Sequence, residues 1–205
     1  MNNEKDDLKN LVKFIFEVGQ LKRTPRSGWL KLGINDPESV ADHSFRTAVI
    51  GFILGEMEGH DPYRVASYCL FHDMAETRTG DLDWLAQRYL DRGDSLSSEV
   101  LNEQLERLPK EQKSLIKNLF DQTGKEDDLE LVARDADLLD LIFQTLEYTY
   151  QGNDPAQEWF ENTLHLLRSE SGKRIGEFLR EKEKEVSMEN LVAWWKGLKT
   201  KHQRN

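Results

Sequence analysis

The sequence has little cysteine and no long apolar run, and each shortage excludes a class of protein. Cys69 is the single cysteine among 205 residues, so an internal disulfide framework cannot form. No stretch approaches the roughly 20 apolar residues that a membrane span requires, and residues 1–10 lack the apolar core of a secretory signal. Cys69 lies in the apolar stretch ASYCLF, which is typical of a small buried side chain. We therefore expect a cytoplasmic protein that uses neither a membrane nor redox chemistry.

Basic residues are also too few for a protein that binds polyanions. Lys and Arg total 28 against 38 Asp and Glu, which gives a formal net charge of -10. This charge opposes long-range attraction to a nucleic-acid polymer or to an anionic membrane. We therefore expect a small-molecule partner and no nucleic-acid polymer.

The alternating Val, Ile, Thr and Tyr runs that mark β-strands are missing, whereas apolar residues recur at helical spacing along the chain. This pattern predicts an all-α protein, and 205 residues without a low-complexity break fit one domain over residues 1–205. Asp36 with Pro37, and Asp61 with Pro62, each resemble an N-cap and a first helical residue. Helices are predicted over about residues 5–21, 37–58, 62–77, 83–90, 109–120, 128–150, 155–167 and 173–185, around Leu101 and Leu105, and over MENLVAWWKGL near the end.

Ionisable side chains interrupt the apolar pattern at LFHDMAETRTGD, residues 70–81. His72 and Asp73 are predicted inside a helix among apolar neighbours, where an unpaired charge costs several kcal/mol unless it is paired or bound to metal. Adjacent helical residues project about 100° apart, so both reach one ion only when another element completes the ligand shell. His43, in VADHSFR on the preceding helix, is the expected third ligand, with a core histidine as the alternative. The second His-Asp pair, His60 and Asp61, is interpreted as a helix cap.

A fourth ligand is expected from LVARDADLLDLIF on the long helix, and periodicity leaves its identity open. Asp135 falls at the centre of the apolar face, while Asp137 lies with the polar residues Arg134 and Asp140. Two imidazoles and two carboxylates suit Mn, Fe, Co or Zn better than Ca. Such a set leaves positions open for water or substrate. We therefore expect one divalent metal ion between the central helices.

Two acidic residues next to the predicted ligands are candidates for proton chemistry. Glu76 lies four residues after His72 and three after Asp73, so it shares their side of the helix. It suits a base that orients water. Asp81 follows Gly80, whose missing side chain allows a sharp turn out of the helix, and it suits a proton donor to a leaving oxygen. The alternative for both is an ordinary solvated carboxylate.

A basic loop supplies the expected contact to phosphate. Between residues 20 and 32 the sequence contains Lys22, Arg23, Arg26 and Lys31 and no acidic residue. Arg26 could hold a phosphate by paired hydrogen bonds, and Trp29 could cover a base or sugar by stacking. Which basic residue contacts the phosphate is left open. A basic surface loop with one packing tryptophan is the alternative.

Together, the segments GQLKRTPRSGW, ESVADHSFR, FHDMAETRTGD and RDADLLD resemble the HD-domain metal-dependent phosphohydrolases, and most closely their 5'-deoxynucleotidase branch. The resemblance covers about residues 8–150. It implies an HD-domain helical bundle with this core, a metal site between central helices, and C-terminal helices over residues 155–198 packed on the core. It also implies that a homodimer is the usual assembly.

The resemblance assigns roles to individual residues. It implies that Glu76 and Asp81 act on the bound phosphate and its water, and that Asp135 is a neighbour of the site, in a salt bridge with Arg134 or against a ring nitrogen of a ligand histidine. The implied metal ligands are His43, His72, Asp73 and Asp137.

The implied reaction is hydrolysis of a (deoxy)nucleoside 5'-monophosphate to nucleoside and phosphate. Three alternatives stay open: hydrolysis of a larger nucleotide such as an alarmone or triphosphate, a nucleotide sensor without turnover, and a dinuclear phosphodiesterase or oxygenase. A sensor without turnover is disfavoured because the chain has Glu76 and Asp81, the two residues implied to act on the phosphate and its water. The dinuclear enzymes need more ligands, and the remaining histidines, His60, His165 and His202, lie in a cap, a late helix and the polar tail.

Overall fold

The computed structural model describes residues 2–89, 93–121 and 129–182, together with 189, 190, 192, 193 and 196. Within these residues the chain forms helices and no β-strand, which confirms the predicted all-α fold. None of the helices in these segments is both long and apolar enough to cross a bilayer. A 3-10 helix spans Gly19–Arg23. The α-helices are α1 (Asn2–Val18), α2 (Ser27–Lys31), α3 (Val40–Met57), α4 (Pro62–Phe71), α5 (Glu76–Thr79), α6 (Trp84–Gln87), α7 (Gly93–Leu105), α8 (Lys110–Asp121), α9 (Leu129–Tyr150), α10 (Ala156–Leu164) and α11 (Glu170–Lys182).

The centre of the fold consists of α3, α4 and α9, which pack against one another. α3 and α4 approach closely because Gly51 has no side chain: a Cβ there would lie 2.7 Å from the Sγ of Cys69. Cys69 is buried, as predicted, and burial raises the pKa of its thiol to about 12. The apolar side of α9 closes this core through residues such as Val132, Leu139 and Ile142. The first turn of α3, the end of α4 and the middle of α9 therefore lie near one another.

The start of α3 differs from the prediction. The helix begins at Val40, because Ser39 rather than Asp36 is its N-cap. The Oγ of Ser39 accepts from the Asp42 amide at 3.1 Å, and the Asp42 carboxylate accepts from the Ser39 amide at 3.0 Å. The preceding loop bonds back to this start, where the Val40 amide donates to the Thr24 carbonyl at 2.8 Å. This pairing holds the basic loop beside the first turn of α3.

The predicted helix over residues 62–77 is in fact two helices. Asp61 caps α4 as predicted, since its Oδ1 accepts from the Tyr63 amide at 3.0 Å. α4 then ends at Phe71, and the backbone tightens to bonds three residues apart, such as Met74 N to Phe71 O at 3.1 Å. His72 and Asp73 therefore lie in a turn after α4 and not inside a helix. Gly80, at φ +72°, ends α5 with the sharp turn expected there.

The C-terminal helices α10 and α11 pack on α9, and α11 also contacts α3. α10 ends at Leu164, before its predicted end, and α11 begins at Glu170, before its predicted start. The predicted last residues of α11, 183–185, lie outside the described residues. Most of the predicted helix MENLVAWWKGL lies outside the described residues. A single domain over residues 1–205 stays a prediction.

Candidate metal centre

His43, His72 and Asp73 converge where the first turn of α3 faces the end of α4. Each offers an atom within 4.8 Å of the atoms offered by the other two. The Oδ2 of Asp73 lies 3.2 Å from His72 Nε2 and 3.6 Å from His43 Nε2. Asp137 on α9 brings its Oδ1 to 3.0 Å from His43 Nε2. The structure thus brings together all four side chains that the sequence singled out as metal ligands.

Both histidine rings form a hydrogen bond at Nδ1, so Nε2 of each ring faces the space between His43, His72 and Asp73. His72 donates from Nδ1 to the Cys69 carbonyl at 2.6 Å, and His43 donates from Nδ1 to Asp140 Oδ2 at 2.6 Å. The Nε2 of His43 and the Oδ2 of Asp73 are buried and have no hydrogen-bond partner among the described residues. Buried polar atoms without a partner are costly. A cation held between them would satisfy both atoms, so these residues fit a metal ion.

The electrostatics of the cluster also favour a cation. Burial and Arg26 lower the pKa of His43, but the nearby carboxylates of Asp137 and Asp140 outweigh them and raise this pKa to about 10. Burial, together with neighbouring carboxylates, raises the pKa of Glu76 to about 9. Without a metal ion, protons on these groups offset the excess of negative charge, and a divalent cation could take their place.

Asp135 has a different position from the one expected. Its Oδ2 accepts from the Arg168 amide at 2.9 Å, and from the amide and hydroxyl of Ser169, each at 2.7 Å, at the start of α11. It forms neither the expected salt bridge with Arg134 nor a bond to a ligand histidine, because Asp135 and Asp137 project about 200° apart on the helix. Arg134 instead donates to the Leu166 carbonyl.

Arg26 is the basic loop residue that reaches the acidic cluster. Its Nη1 lies 2.9 Å from Asp81 Oδ1 and 3.6 Å from Asp73 Oδ2. The Oδ2 of Asp81 accepts from the amide of Ser27 at 2.5 Å and from its hydroxyl at 2.9 Å. Lys31 pairs with Asp83 instead, at 2.7 Å. Hydrogen bonds to Asp81 therefore connect the basic loop to the turn that follows α5.

A cavity of about 270 Å³ opens from this cluster. Trp29 is only 1 % exposed; its Nε1 donates to Glu38 at 3.0 Å, and its ring stacks on Trp159 at a centroid distance of 5.0 Å. No face of Trp29 is therefore open to a base or sugar, which corrects the expected stacking role. Trp84, on the rim of the same cavity, is 64 % exposed. The acidic end of the cavity is lined by Arg26, His72, Asp73, Glu76, Asp81 and Asp137.

Comparison with known proteins identifies the family. Residues 18–189 match the model of the HD domain. The chain belongs to the HD-domain family. The HD domain is 32% identical over 161 residues to the 5'-deoxynucleotidase HDDC2 of Xenopus laevis, with 76% of this chain and 78% of that one covered. It is 29% identical over 158 residues to the Bos taurus protein of the same name, with 76% and 77% covered.

A solved structure has a similar fold. The product of a predicted coding region of Archaeoglobus fulgidus superposes with a TM-score of 0.59 at 37% identity, with 85% of this HD domain and 95% of that chain covered. The predicted family resemblance and the helical HD fold are confirmed. HD domains are metal-dependent, and the His-Asp cluster is the place where this one could hold its ion.

Sequence reasoning missed three residues of the HD domain's site. Asp140 accepts a hydrogen bond from His43, Ser27 donates one to Asp81, and Trp84 lies on the cavity rim. A signal existed for Asp140, which lies three residues after Asp137 and so shares its side of α9. A signal also existed near Trp84, because Asp83 is an N-cap whose Oδ1 accepts from the Leu85 and Ala86 amides.

Proposed function

We propose that the protein is a metal-dependent phosphohydrolase that converts a deoxynucleoside 5'-monophosphate to the nucleoside and inorganic phosphate. The observation that carries this proposal is a pair of buried, facing atoms, His43 Nε2 and Asp73 Oδ2, with no hydrogen-bond partner among the described residues. The Arg26 guanidinium lies 3.6 Å from the same Asp73 oxygen. A cation and a phosphate could therefore bind side by side. Relatives named 5'-deoxynucleotidase, each matched over 76% of this chain, support the substrate class.

Four side chains would hold one divalent ion: His43, His72, Asp73 and Asp137. Their mixture of imidazole and carboxylate donors favours Mn, Co, Fe or Zn. When bound, such an ion acts as a Lewis acid that lowers the pKa of a coordinated water and offsets charge on a phosphoryl oxygen.

The protein's own residues bind the phosphate and the nucleoside and transfer the protons. Arg26 binds the phosphate through paired hydrogen bonds and exchanges its present contact with Asp73 for the substrate. Glu76, whose Oε2 is buried without a hydrogen-bond partner in the described segments, orients the attacking water and takes its proton. Asp81, or a water beside it, protonates the departing 5' oxygen. Trp84 covers the base or sugar at the cavity rim.

The size of the cavity bears on the alternative substrates. Ligand pockets commonly enclose about 300–1,000 Å³, and this cavity of about 270 Å³ lies at the lower limit. A mononucleotide therefore fits it better than an alarmone or a triphosphate. The sensor without turnover is disfavoured because Glu76 and Asp81 both line the cavity.

We also propose a cytoplasmic homodimer. One side of α3 exposes an apolar stripe whose residues are 41–69 % accessible: Phe45, Val49, Phe52, Ile53 and Met57. The stripe continues into a groove of about 660 Å³ lined by Met57, Phe143 and Phe178. This groove is larger than the cavity at the His-Asp cluster, but it contains no residue of that cluster. Contiguous exposed apolar surface is typical of an interface, and light scattering on the protein and on a Phe52→Glu variant tests it.

A phosphate-release screen tests the enzymatic proposal. Deoxy- and ribonucleoside 5'-monophosphates, a triphosphate and an alarmone are incubated with chelator-treated protein and Mn, Co, Fe or Zn in turn. We expect release from deoxynucleoside monophosphates only when a divalent ion is present. Nucleotide binding without phosphate release from any substrate in any ion would establish the sensor instead.

A further inference from the structure

Behind His43, on the side away from the cavity, lies a cluster of polar groups centred on Arg46 of α3. Its members, which we call the Arg46 cluster, are Glu38, Arg46, Asp140, Gln144 and Glu147. Arg46 donates from Nε to Asp140 Oδ1, from Nη1 to Glu147 at 2.7 Å and from Nη2 to Gln144 at 2.7 Å. Asp140 is fully buried. Three residues of α9 are thereby held by one side chain of α3.

Asp140 uses its two oxygens for different partners. Oδ1 accepts from Arg46 Nε, while Oδ2 lies 2.6 Å from Nδ1 of His43. A guanidinium can only donate hydrogen bonds. Arg46 therefore occupies Oδ1 and leaves Oδ2 as the acceptor for His43.

A second metal ion is the competing explanation for this cluster. Glu38, His43 and Asp140 offer atoms within 4.8 Å of one another, which would allow a cation between them. Arg46 already supplies the positive charge, because its Nη2 lies 3.9 Å from Glu38 Oε2 while its Nε is bonded to Asp140. The arrangement is that of an orienting ion pair.

We infer that Arg46, by holding Asp140, is a positioning residue that keeps the ring proton of His43 on Nδ1, so that Nε2 presents its lone pair to the candidate metal centre. When Asp140 Oδ2 accepts the proton on Nδ1, the lone pair of Nε2 points toward Asp73 and Asp137. Partners that orient a ligating histidine in this way change metal affinity by about 10- to 100-fold. The inference rests on the proposed function, since His43 is taken as a ligand.

Asp140→Asn is the variant that separates orientation from packing. Asparagine has the shape of aspartate but carries one oxygen and one NH2 group. Arg46 only donates, so it retains the amide oxygen and turns the NH2 toward Nδ1 of His43. Nδ1 must then accept, and the ring proton moves to Nε2, where it blocks metal binding. We expect D140N to weaken Mn²⁺ binding by about 10- to 100-fold.

The double variant D140N/R46M makes the test decisive. Without the guanidinium, the amide is free to turn its oxygen to Nδ1 and restore the lone pair on Nε2. The double variant should therefore bind Mn²⁺ more tightly than D140N alone, although it has lost more hydrogen bonds. A merely structural role requires the opposite order. Glu147→Ala is the matched control, because it removes a contact of Arg46 without touching Asp140 or His43.

The measurement is calorimetric titration of Mn²⁺ into the chelator-treated chain of residues 1–205, with thermal unfolding of each metal-free variant beside it. Wild-type affinity in D140N, or a double variant weaker than D140N, overturns the inference. A wild-type protein that binds no Mn²⁺, Co²⁺ or Zn²⁺ overturns the proposed function itself. If D140N does not fold, R46M is compared with E147A. In the presence of the Asp140 carboxylate, Arg46 acts by holding that carboxylate against Nδ1 of His43, so the inference requires a loss of affinity in R46M alone, and equal affinities overturn it.

Discussion

Two aspartates of α9, five residues apart, are both fully buried and yet have different partners. Asp135 accepts from main-chain amides of Arg168 and Ser169, at the start of α11. Asp140 accepts from the side chains of Arg46 and His43, on the side of His43 away from the cavity. Burial and hydrogen bonding are common to both, so neither property identifies a functional carboxylate. A functional carboxylate is identified instead by the group that it binds.

The contrast has a physical basis. Main-chain amides at a helix start belong to the fold, and a carboxylate there stabilises the helix end and its dipole. The fit around Asp135 is tight, because a Cβ on Gly172 would lie 2.7 Å from its Oδ2. A carboxylate that binds a histidine ring instead fixes the direction of a chemical group. Loss of Asp135 should therefore affect stability, and loss of the carboxylates near His43 should affect metal binding.

The largest effect is expected at the metal centre itself. Asp73→Ala removes the carboxylate that lies within 3.6 Å of both ligand histidines. If the metal supplies about 4 kcal/mol of transition-state stabilisation, turnover falls by about 10³-fold, and bound metal is lost. Phosphate release and elemental analysis measure the two effects.

Asp61→Ala is the control for that prediction, because Asp61 is the acid of the other His-Asp pair and caps α4. It should cost about 1 kcal/mol of stability and leave turnover unchanged. Full activity in D73A would contradict the ligand assignment.

The second prediction tests whether Asp137 and Asp135 of α9 have different roles, one in metal binding and the other in stability. Asp137→Asn should weaken Mn²⁺ binding with little change in stability, because Asp137 lies 3.0 Å from His43 Nε2 and is partly exposed. Asp135→Asn should lower the free energy of unfolding by about 1–3 kcal/mol and keep the Mn²⁺ affinity. Urea denaturation and calorimetry give both quantities for each variant. An equal loss of metal affinity in the two variants would remove the distinction.

Helices were predictable from this sequence where local chemistry decided them. Asp61 with Pro62 begins α4, and the unbroken apolar period predicted α9 almost to the residue. The predicted start of α3 at Asp36 and Pro37 was wrong: Asp36 and Ser39 are both good caps, and only Ser39 has an acid three residues later. The end of α4 could not be predicted, because the helical spacing of apolar residues continues through the following turn. In that turn the backbone hydrogen bonds join residues three apart instead of four.

The side chains that converge at the candidate site could be predicted from the sequence, and the residues that support them could not. His43, His72 and Asp73 are unusual residues in apolar surroundings, which is a local signal. Asp140 supports His43 through a contact between α3 and α9, and the pairing of two helices is not encoded in either segment. Trp29 was misjudged for the same reason, since the residues that bury it, Tyr148 and Trp159, come from distant helices.

The third prediction concerns the anion side of the pocket. Arg26→Met should raise KM for a nucleotide by about 10- to 100-fold, because charge-assisted hydrogen bonds contribute about 1.5–3 kcal/mol. Mn²⁺ affinity should not fall, since Arg26 is a competing cation that lies 3.6 Å from Asp73 Oδ2. Steady-state kinetics and calorimetry measure the two. Arg23→Met, in the same loop but exposed, is the control and should leave KM unchanged. A KM that rises equally in both variants would indicate a general electrostatic effect of the loop.

The smallest expected effect is at the cavity rim. Trp84→Ala should raise KM for a nucleotide by about fivefold, because an exposed aromatic contact contributes about 1 kcal/mol. Inhibition by inorganic phosphate, which has no base or sugar to stack, should stay unchanged. Trp29→Phe offers the comparison, since it removes the hydrogen bond to Glu38 and should lower stability more than it changes KM. If W84A leaves KM unchanged while W29F raises it, the buried tryptophan recognises the nucleoside after all, and the pocket must open to admit it.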